Sequence, residues 1–399
     1  MIKITKILFL NQMAGPLFRE LAEDLSLKMP ENSTLFTGHP DTLAIGSSTS
    51  KLKIYKAPSY NRKSNLFRVF SWINYSLFAF WKMLRADNNT IVFIVSNPPF
   101  LGFFALLISL LKRTRYIVLV YDMHVDVLIS QGLLHKNSVV VKLWRLMNQK
   151  VWNRSIAVYT IGTNMAENLT KQFKVKNTDL GHVGVVYPWA DTKIIKPISK
   201  IYNPLSKVLG QEDKITILYS GNMGISHDID SILQAAKILK NQTNIAFLLI
   251  GGGEKWKEAD DFQKENNLKN LQVLPFQSEE KLPYSISLAD IALVSLDEGA
   301  EGFMVPSKMF YYMSAGAAVI GICKGKNDVS NIIQKFNCGI TIEPKNPKGL
   351  VNIIKLLSRN IEKLHEFKKN SRQSAVSHFS RKKCSSKLIQ ELLLLINKI

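Results

Sequence analysis

Three segments in the second half of the chain have the residue types that hold a phosphate. The apolar run 215–219 leads into Ser220-Gly221-Asn222-Met223-Gly224, and a helical pattern begins near Asp228. Strand, glycine turn and helix in that order let backbone amides approach an anion, whose charge the helix dipole stabilises. A tight strand-to-helix turn also needs glycine for geometry alone, so both readings stay open for this turn. The run 245–250 ends in Gly251-Gly252-Gly253-Glu254-Lys255, a second glycine turn expected on the same carboxyl edge. Open α/β sheets bind their ligands along that edge. In the third segment, Glu301-Gly302-Phe303-Met304-Val305-Pro306-Ser307-Lys308 enters a helix that ends near Ala315-Gly316. Pro306 and Ser307 suit its first turn, whereas Lys308 opposes the helix dipole there. A lysine so placed is either solvated at the surface or opposite an anionic ligand.

The first half offers groups for proton transfer. Asp122, His124 and Asp126 follow the apolar run 116–120, again at a carboxyl end. Two carboxylates and an imidazole this close can accept or share the proton of a hydroxyl. A hydrogen-bonded structural role suits His124 equally well.

These turns require strands to carry them. Short β-rich runs at 7–10, 91–95, 116–120, 156–160 and 183–187 alternate with longer helical patterns. The alternation restarts at 215–219, 245–250, 271–274, 291–294 and 319–322. Near-continuous apolarity with intervening helices predicts parallel sheets covered on both faces, and so two Rossmann-like halves. A chain of 399 residues also exceeds what one core usually serves. Residues 188–209, with Pro188, Pro197 and Pro204, read as the linker, and 381–399 read as a helix.

The net charge is +21, from 52 Lys and Arg against 31 Asp and Glu. Partners of such a chain are anionic: a membrane surface, nucleic acid or phosphate-bearing substrates. Residues 51–121 contain eleven Lys or Arg and one acid, Asp87, interleaved with Phe67, Phe70, Trp72, Tyr75, Phe78, Phe80 and Trp81. Such a stretch either lies in an anionic membrane interface, with Arg62, Lys63, Arg68, Lys82 and Arg85 beside the lipid phosphates, or is a buried helix with a basic solvent face. The longest apolar run, 98–111, is shorter than the roughly 20 residues a helix needs to cross a bilayer. The first ten residues read as a buried strand rather than a signal peptide. Cys323, Cys338 and Cys384 are too scattered for a disulfide framework or a paired zinc site, which fits a reducing cytoplasm. No base-reading motif accompanies the charge, so a nucleic-acid partner is not expected.

The run Tyr219-Ser220-Gly221-Asn222-Met223-Gly224, then His227-Asp228, Leu248-Leu249-Ile250-Gly251-Gly252-Gly253, the segment from Glu301 to Lys308, and Ala315-Gly316-Ala317-Ala318-Val319-Ile320 resemble family-4 glycosyltransferases. Within these the chain is similar to the branch that includes fucosamine transferases of bacterial surface-polysaccharide assembly. Asn97-Pro98-Pro99-Phe100, Tyr121-Asp122 with Asp126, Gly132-Leu133-Leu134 and Pro188-Trp189-Ala190-Asp191 fall where that branch has similar segments.

The resemblance implies an α/β GT-B fold, two Rossmann-like domains facing a cleft, with the C-terminal helix packing back on the first. Expected boundaries are 1–195 for an acceptor domain, 196–378 for a donor domain and 379–399 for the helix. It implies a retaining, metal-independent hexosyl- or N-acetylhexosaminyl-type glycosyltransferase without a cofactor. Sugar would pass from a nucleoside-diphosphate sugar to a lipid-linked saccharide at the inner face of the cytoplasmic membrane, where the protein would be peripheral. Gly15, Gly221, Asn222, Met223, Gly224, Gly251, Gly252, Pro306, Ser307, Lys308 and Tyr311 would line the donor. Glu301 would hold hydroxyls of the donor sugar, and Asp126 would contact the acceptor. Asp122, His124, Glu301 and Lys308 are the expected catalytic set. The family's usual proline after the histidine is Val125 here, which favours Asp122 over His124. Asp228 and Asp230 match the spacing of a metal-holding pair but lie in a helix start.

Two positions depart from the family. Tyr311 stands where many members have a second glutamate, so a catalytically inactive accessory subunit is the alternative. Gly15 is single where many relatives have two glycines. A nucleotide-sugar epimerase would share the donor turns, but the family motifs argue against it.

Overall fold

The computed structural model describes residues 3–41, 51–61, 63–130, 132–173, 183–224, 227–296 and 302–398. The chain forms two compact units, Met1–Tyr187 with Lys382–Ile399, and Pro188–Arg381. Each is built on one sheet.

The first sheet contains β1 (Lys6–Leu10), β2 (Ser33–Thr37), β3 (Leu52–Lys56), β4 (Thr90–Val95), β5 (Tyr116–Val120), β6 (Ala157–Thr160) and β7 (Val183–Val185). Their order is β3-β2-β1-β4-β5-β6-β7, every pairing parallel. The second contains β8 (Ile215–Asn222), β9 (Ile245–Gly252), β10 (Leu271–Pro275), β11 (Ile291–Ser295), β12 (Ala318–Ile322) and β13 (Gly339–Ile342). Its order is β10-β9-β8-β11-β12-β13, also all parallel. Both sheets therefore reverse strand order once, between β1 and β4 and between β8 and β11. Such reversals open a crevice at the carboxyl edge, because the helices on either side leave in opposite directions.

The two-sheet expectation holds. Sequence reading missed β2, β3 and β13, which have five residues or fewer. β3 is a sheet edge with Lys53 and Lys56 exposed, the kind of charge that protects an edge from further pairing. β4, β5, β11 and β12 are buried at every position, which is why their apolar runs were legible.

The expected linker is not free of the second unit. Arg372 Nη2 donates to Thr192 O (2.9 Å), and Nη1 donates to Ile195 O (3.0 Å) and Ser314 O (2.7 Å). Ser314 Oγ donates to Ile195 O at 2.6 Å. One guanidinium thus satisfies carbonyls on two segments, and the division between units falls at Pro188, where the proline-rich stretch begins. Arg372→Ala is expected to lower stability by about 2–4 kcal/mol, because the carbonyls of the buried Ile195 and Ser314 lose a charged donor. Urea denaturation checks this, and a change under about 0.5 kcal/mol would show the network to be dispensable.

Candidate functional site

In the second unit the site starts with how β8 ends. The strand runs on through Gly221 and Asn222, which pair with Gly251 and Gly252 of β9. A Cβ on Gly251 would lie 1.9 Å from Gly221 O, so glycine at 251 is what lets the two strands approach. Beyond them the turns lock together. Met223 N donates to Gly252 O (2.7 Å) and Lys255 N to Met223 O (2.9 Å). Gly253, at φ 113°, leaves no room for a Cβ, which would meet Asn222 Oδ1 at 2.6 Å and Met223 O at 2.8 Å. Gly252 packs under the Phe276 ring, which a Cβ would meet at 2.9 Å. Gly251 and Gly252, expected at a ligand, thus serve to join the two glycine turns.

On its other side β8 pairs with β11 only at Ile217 and Leu218. Past Leu218 the two strands separate, and Tyr312 covers the open edge. Ser220 N donates to Tyr312 Oη (2.7 Å), which donates to Ser220 O (2.9 Å). Tyr312 comes from the helix Lys308–Ser314, whose first residue projects into the same opening. Lys308 Nζ donates to Tyr219 Oη at 2.6 Å and lies 3.8 Å from that ring's centre. Tyr219 Oη in turn donates to Asn222 O (2.8 Å). Gly221, at φ 136°, makes room for the ammonium, since a Cβ there would be 3.3 Å from Lys308 Cε. Desolvation pulls the half-buried Lys308 ammonium down to about 7.

Pro306 and Ser307 precede the helix, but Ser307 is in the αR conformation and its hydroxyl makes no capping bond. Met309 N bonds Pro306 O, which tightens the turn at the helix start. Tyr311 is half-buried on the same helix. Glu301 lies outside the described residues.

Three groups of this site were not singled out as site residues from sequence. Tyr219 and Tyr312 are strand and helix aromatics whose roles appear only across about ninety residues of chain, 89 from Tyr219 to Lys308 and 92 from Ser220 to Tyr312. The third is His227, whose Nδ1 accepts from Gly224 N at 3.0 Å. Desolvation, then the charges of Lys308 and Lys255, push its imidazole down to about 3, so it is neutral with the proton on Nε2. Its position three residues after Gly224 was the available signal.

Asp228 caps the helix Ile229–Ile238. Its Oδ1 accepts from Ser231 N (3.0 Å), its Oδ2 from Lys345 N (2.7 Å), and its own N–H donates to Ser295 Oγ (2.6 Å). Asp230 pairs with Lys255 at 3.3 Å. The Asp228–Asp230 spacing is thus used by helix capping and an ion pair.

In the first unit, Ser96 Oγ at the end of β4 accepts from Tyr121 N (3.0 Å) and Asp122 N (3.3 Å), while Ser96 O lies 3.1 Å from His124 Nε2. The pair therefore sits where β4 and β5 end. Burial raises the Asp122 carboxyl and lowers the His124 imidazole, so their affinities for a proton converge. Gly15 precedes the helix Pro16–Ser26 with φ −80°, and nothing lies within 4 Å of the position of a Cβ.

Asp126, expected at the acceptor, is held by an arginine. Its side chain is turned into the packing between helices, where Oδ1 accepts from Arg145 Nη2 at 2.5 Å, and the residue is only 5% exposed. Asp126 Oδ2 is buried and makes no hydrogen bond among the described residues.

Comparison with known proteins places this geometry. The model for "Glycosyl transferases group 1" matches residues 204–374. "Probable glycosyltransferase WbjE" of Pseudomonas aeruginosa is 25% identical over 315 residues, 79% of this chain and 78% of that protein. "Putative colanic acid biosynthesis glycosyl transferase WcaI" of Escherichia coli K12 is 26% identical over 141 residues, 35% of this chain and 34% of that protein. Among solved structures, Anabaena Alr3699/HepE in complex with UDP and glucose superposes with a TM-score of 0.69 at 13% identity, covering 98% of this chain and all of that one. The chain has a GT-B fold, and its residues 204–374 match the glycosyl transferases group 1 family.

Proposed function

We propose that the protein transfers a hexosyl or N-acetylhexosaminyl group, with retention and without a metal, from a nucleoside-diphosphate sugar to a lipid-linked saccharide in surface-polysaccharide assembly. The observation that carries the reading is Lys308, a desolvated cation at the β8–β11 crevice beside Gly221. A diphosphate is the ligand such a group suits: it supplies the missing counter-charge, and its negative charge grows as the sugar leaves. The UDP and glucose bound by the structural neighbour agree with this choice, and colanic acid biosynthesis in the name of a relative agrees with a polysaccharide product.

In this reading Lys308 holds the leaving diphosphate, the neutral His227 donates from Nε2, and Glu301 engages hydroxyls of the sugar. Asp122 and His124 take the proton that the acceptor hydroxyl loses as it bonds to the anomeric carbon. Tyr311 meets the nucleotide ribose in place of the more common glutamate.

The experiment is calorimetry of the purified protein with UDP, GDP and their sugars, followed by donor turnover with and without EDTA. One nucleotide should bind at micromolar or lower Kd, and turnover should be unchanged by EDTA. Absence of binding by any nucleotide sugar would sink the donor assignment. Loss of turnover in EDTA, restored by a divalent cation, would sink the metal-free one.

A further inference from the structure

The helix Asn65–Leu84 is apolar on the side that faces solvent. Ser71, Tyr75, Ala79 and Met83 are buried, and Tyr75 Oη donates to Phe36 O of β2 at 2.9 Å, which fixes the helix to the sheet. Roughly half a turn away, at about 100° per residue, Leu66, Phe70, Ile73, Leu77 and Trp81 form an exposed stripe, with Leu66 84% and Phe70 69% exposed. Phe67 and Phe78 flank it and are also exposed. Of the two sequence readings, a buried helix with a basic solvent face is therefore wrong. Lys82 instead lies over the Phe36 and Tyr55 rings, 5.6 and 5.2 Å from their centres.

Two more helices continue this layer. Leu101–Lys112 packs beside the first through Phe80 and Phe104, ring centres 5.6 Å apart. Val139–Arg154 packs beside the second through Phe100 and Trp144, at 5.2 Å. Leu110 and Leu111 on the second, and Val139 and Leu143 on the third, are exposed too. Scattered surface hydrophobics need no explanation, but a continuous stripe on one helix with apolar neighbours marks a contact surface.

Charge selects the partner. Residues 51–156 contain sixteen Lys or Arg and three acids, Asp87, Asp122 and Asp126. Asp87 pairs with Lys6 (2.7 Å) and Asp126 with Arg145 (2.5 Å), while Asp122 adjoins His124. Exposed Lys63, Arg85, Arg113 and Lys142 lie at the ends of these helices or along them. A second copy would bring two basic surfaces together, whereas anionic lipid complements both the cations and the rings. Among the described residues no helix is long and apolar enough to cross a membrane. We infer that this three-helix face of the first unit lies in the interface of an anionic membrane, the stripe of Asn65–Leu84 entering the headgroup and acyl boundary and the surrounding cations holding lipid phosphates. The inference is independent of the donor chemistry.

The test is co-sedimentation of the full chain with vesicles of phosphatidylcholine alone or mixed with phosphatidylglycerol. Wild type should bind the mixed vesicles about tenfold or more tightly than the neutral ones, and bind less in high salt. Phe70→Gln/Leu77→Gln/Trp81→Gln should weaken binding roughly tenfold or more with only a small change in melting temperature, since about half or more of each residue is exposed. Arg85→Gln/Arg113→Gln/Lys142→Gln should remove most of the salt dependence. The inference fails if wild type ignores anionic vesicles at low salt, or if the apolar triple variant binds as wild type does. It also fails if sedimentation velocity shows a dimer that this variant dissolves, which would give the face to a second copy.

Discussion

Lys308→Ala is expected to lower kcat/KM for transfer by about 10²–10³-fold while the protein stays folded, the usual loss when one preorganised charge contact to a leaving group is removed. Lys308 approaches Tyr219 and the bare Cα of Gly221, and the structure gives it no carboxylate partner among the described residues. In the free protein its ammonium is therefore a cost. The sign follows from its folded value of about 7 against an ordinary 10.5. Below pH 7 both states hold the proton. Between pH 7 and 10.5 the unfolded chain retains a proton that the folded chain has released, so stability rises with pH through that window. Lys308→Met should abolish this rise and make the unliganded protein more stable at pH 6. Diphosphate binding reverses the balance, because its charge favours the ammonium. Binding above pH 7 should then take up a proton, visible as a heat of binding that depends on the buffer's ionisation enthalpy. Activity within about twofold of wild type in Lys308→Ala, or binding heats independent of buffer, would remove Lys308 from the donor site.

Gly251→Ala is expected to cost roughly 3–5 kcal/mol or more and to abolish nucleotide binding even where some protein still folds. A methyl 1.9 Å from Gly221 O cannot be accommodated by a side-chain rotation, since its neighbour is the backbone of the paired strand. Separating β8 from β9 there would also break the Met223 N–Gly252 O bond and displace Gly221 from Lys308. Gly15→Ala is the control, because at φ −80° with nothing within 4 Å it should leave melting unchanged or slightly raised. If Gly15→Ala nonetheless weakens turnover, Gly15 is approached by a ligand rather than by the protein. A Gly251→Ala protein that melts and binds UDP like wild type would show that the two turns are not mechanically joined.

The sequence by itself determined the two parallel sheets and the neighbourhood of the site. β4, β5, β8 and β9 are apolar because helices cover both faces, and a strand buried that way announces itself without reference to any partner. The turns after β8 and β9 and the misplaced charge of Lys308 were legible for the same reason, since each is a local conflict between a residue and its position. Tertiary structure decided which of these groups meet. That Lys308 finds Tyr219, that Tyr312 covers Ser220, and that Asp126 turns to Arg145 all depend on the strand order of a sheet and the crossing of helices. It also decided the role of Gly251, which reads as a ligand contact in one dimension and is a strand contact in three. The helix Asn65–Leu84 shows the limit most clearly. A 3.6-residue period reveals stripes, but with aromatics on both sides it does not tell which stripe meets the sheet, because that choice is made by the shape of β2 and β3 beneath it rather than by the helix.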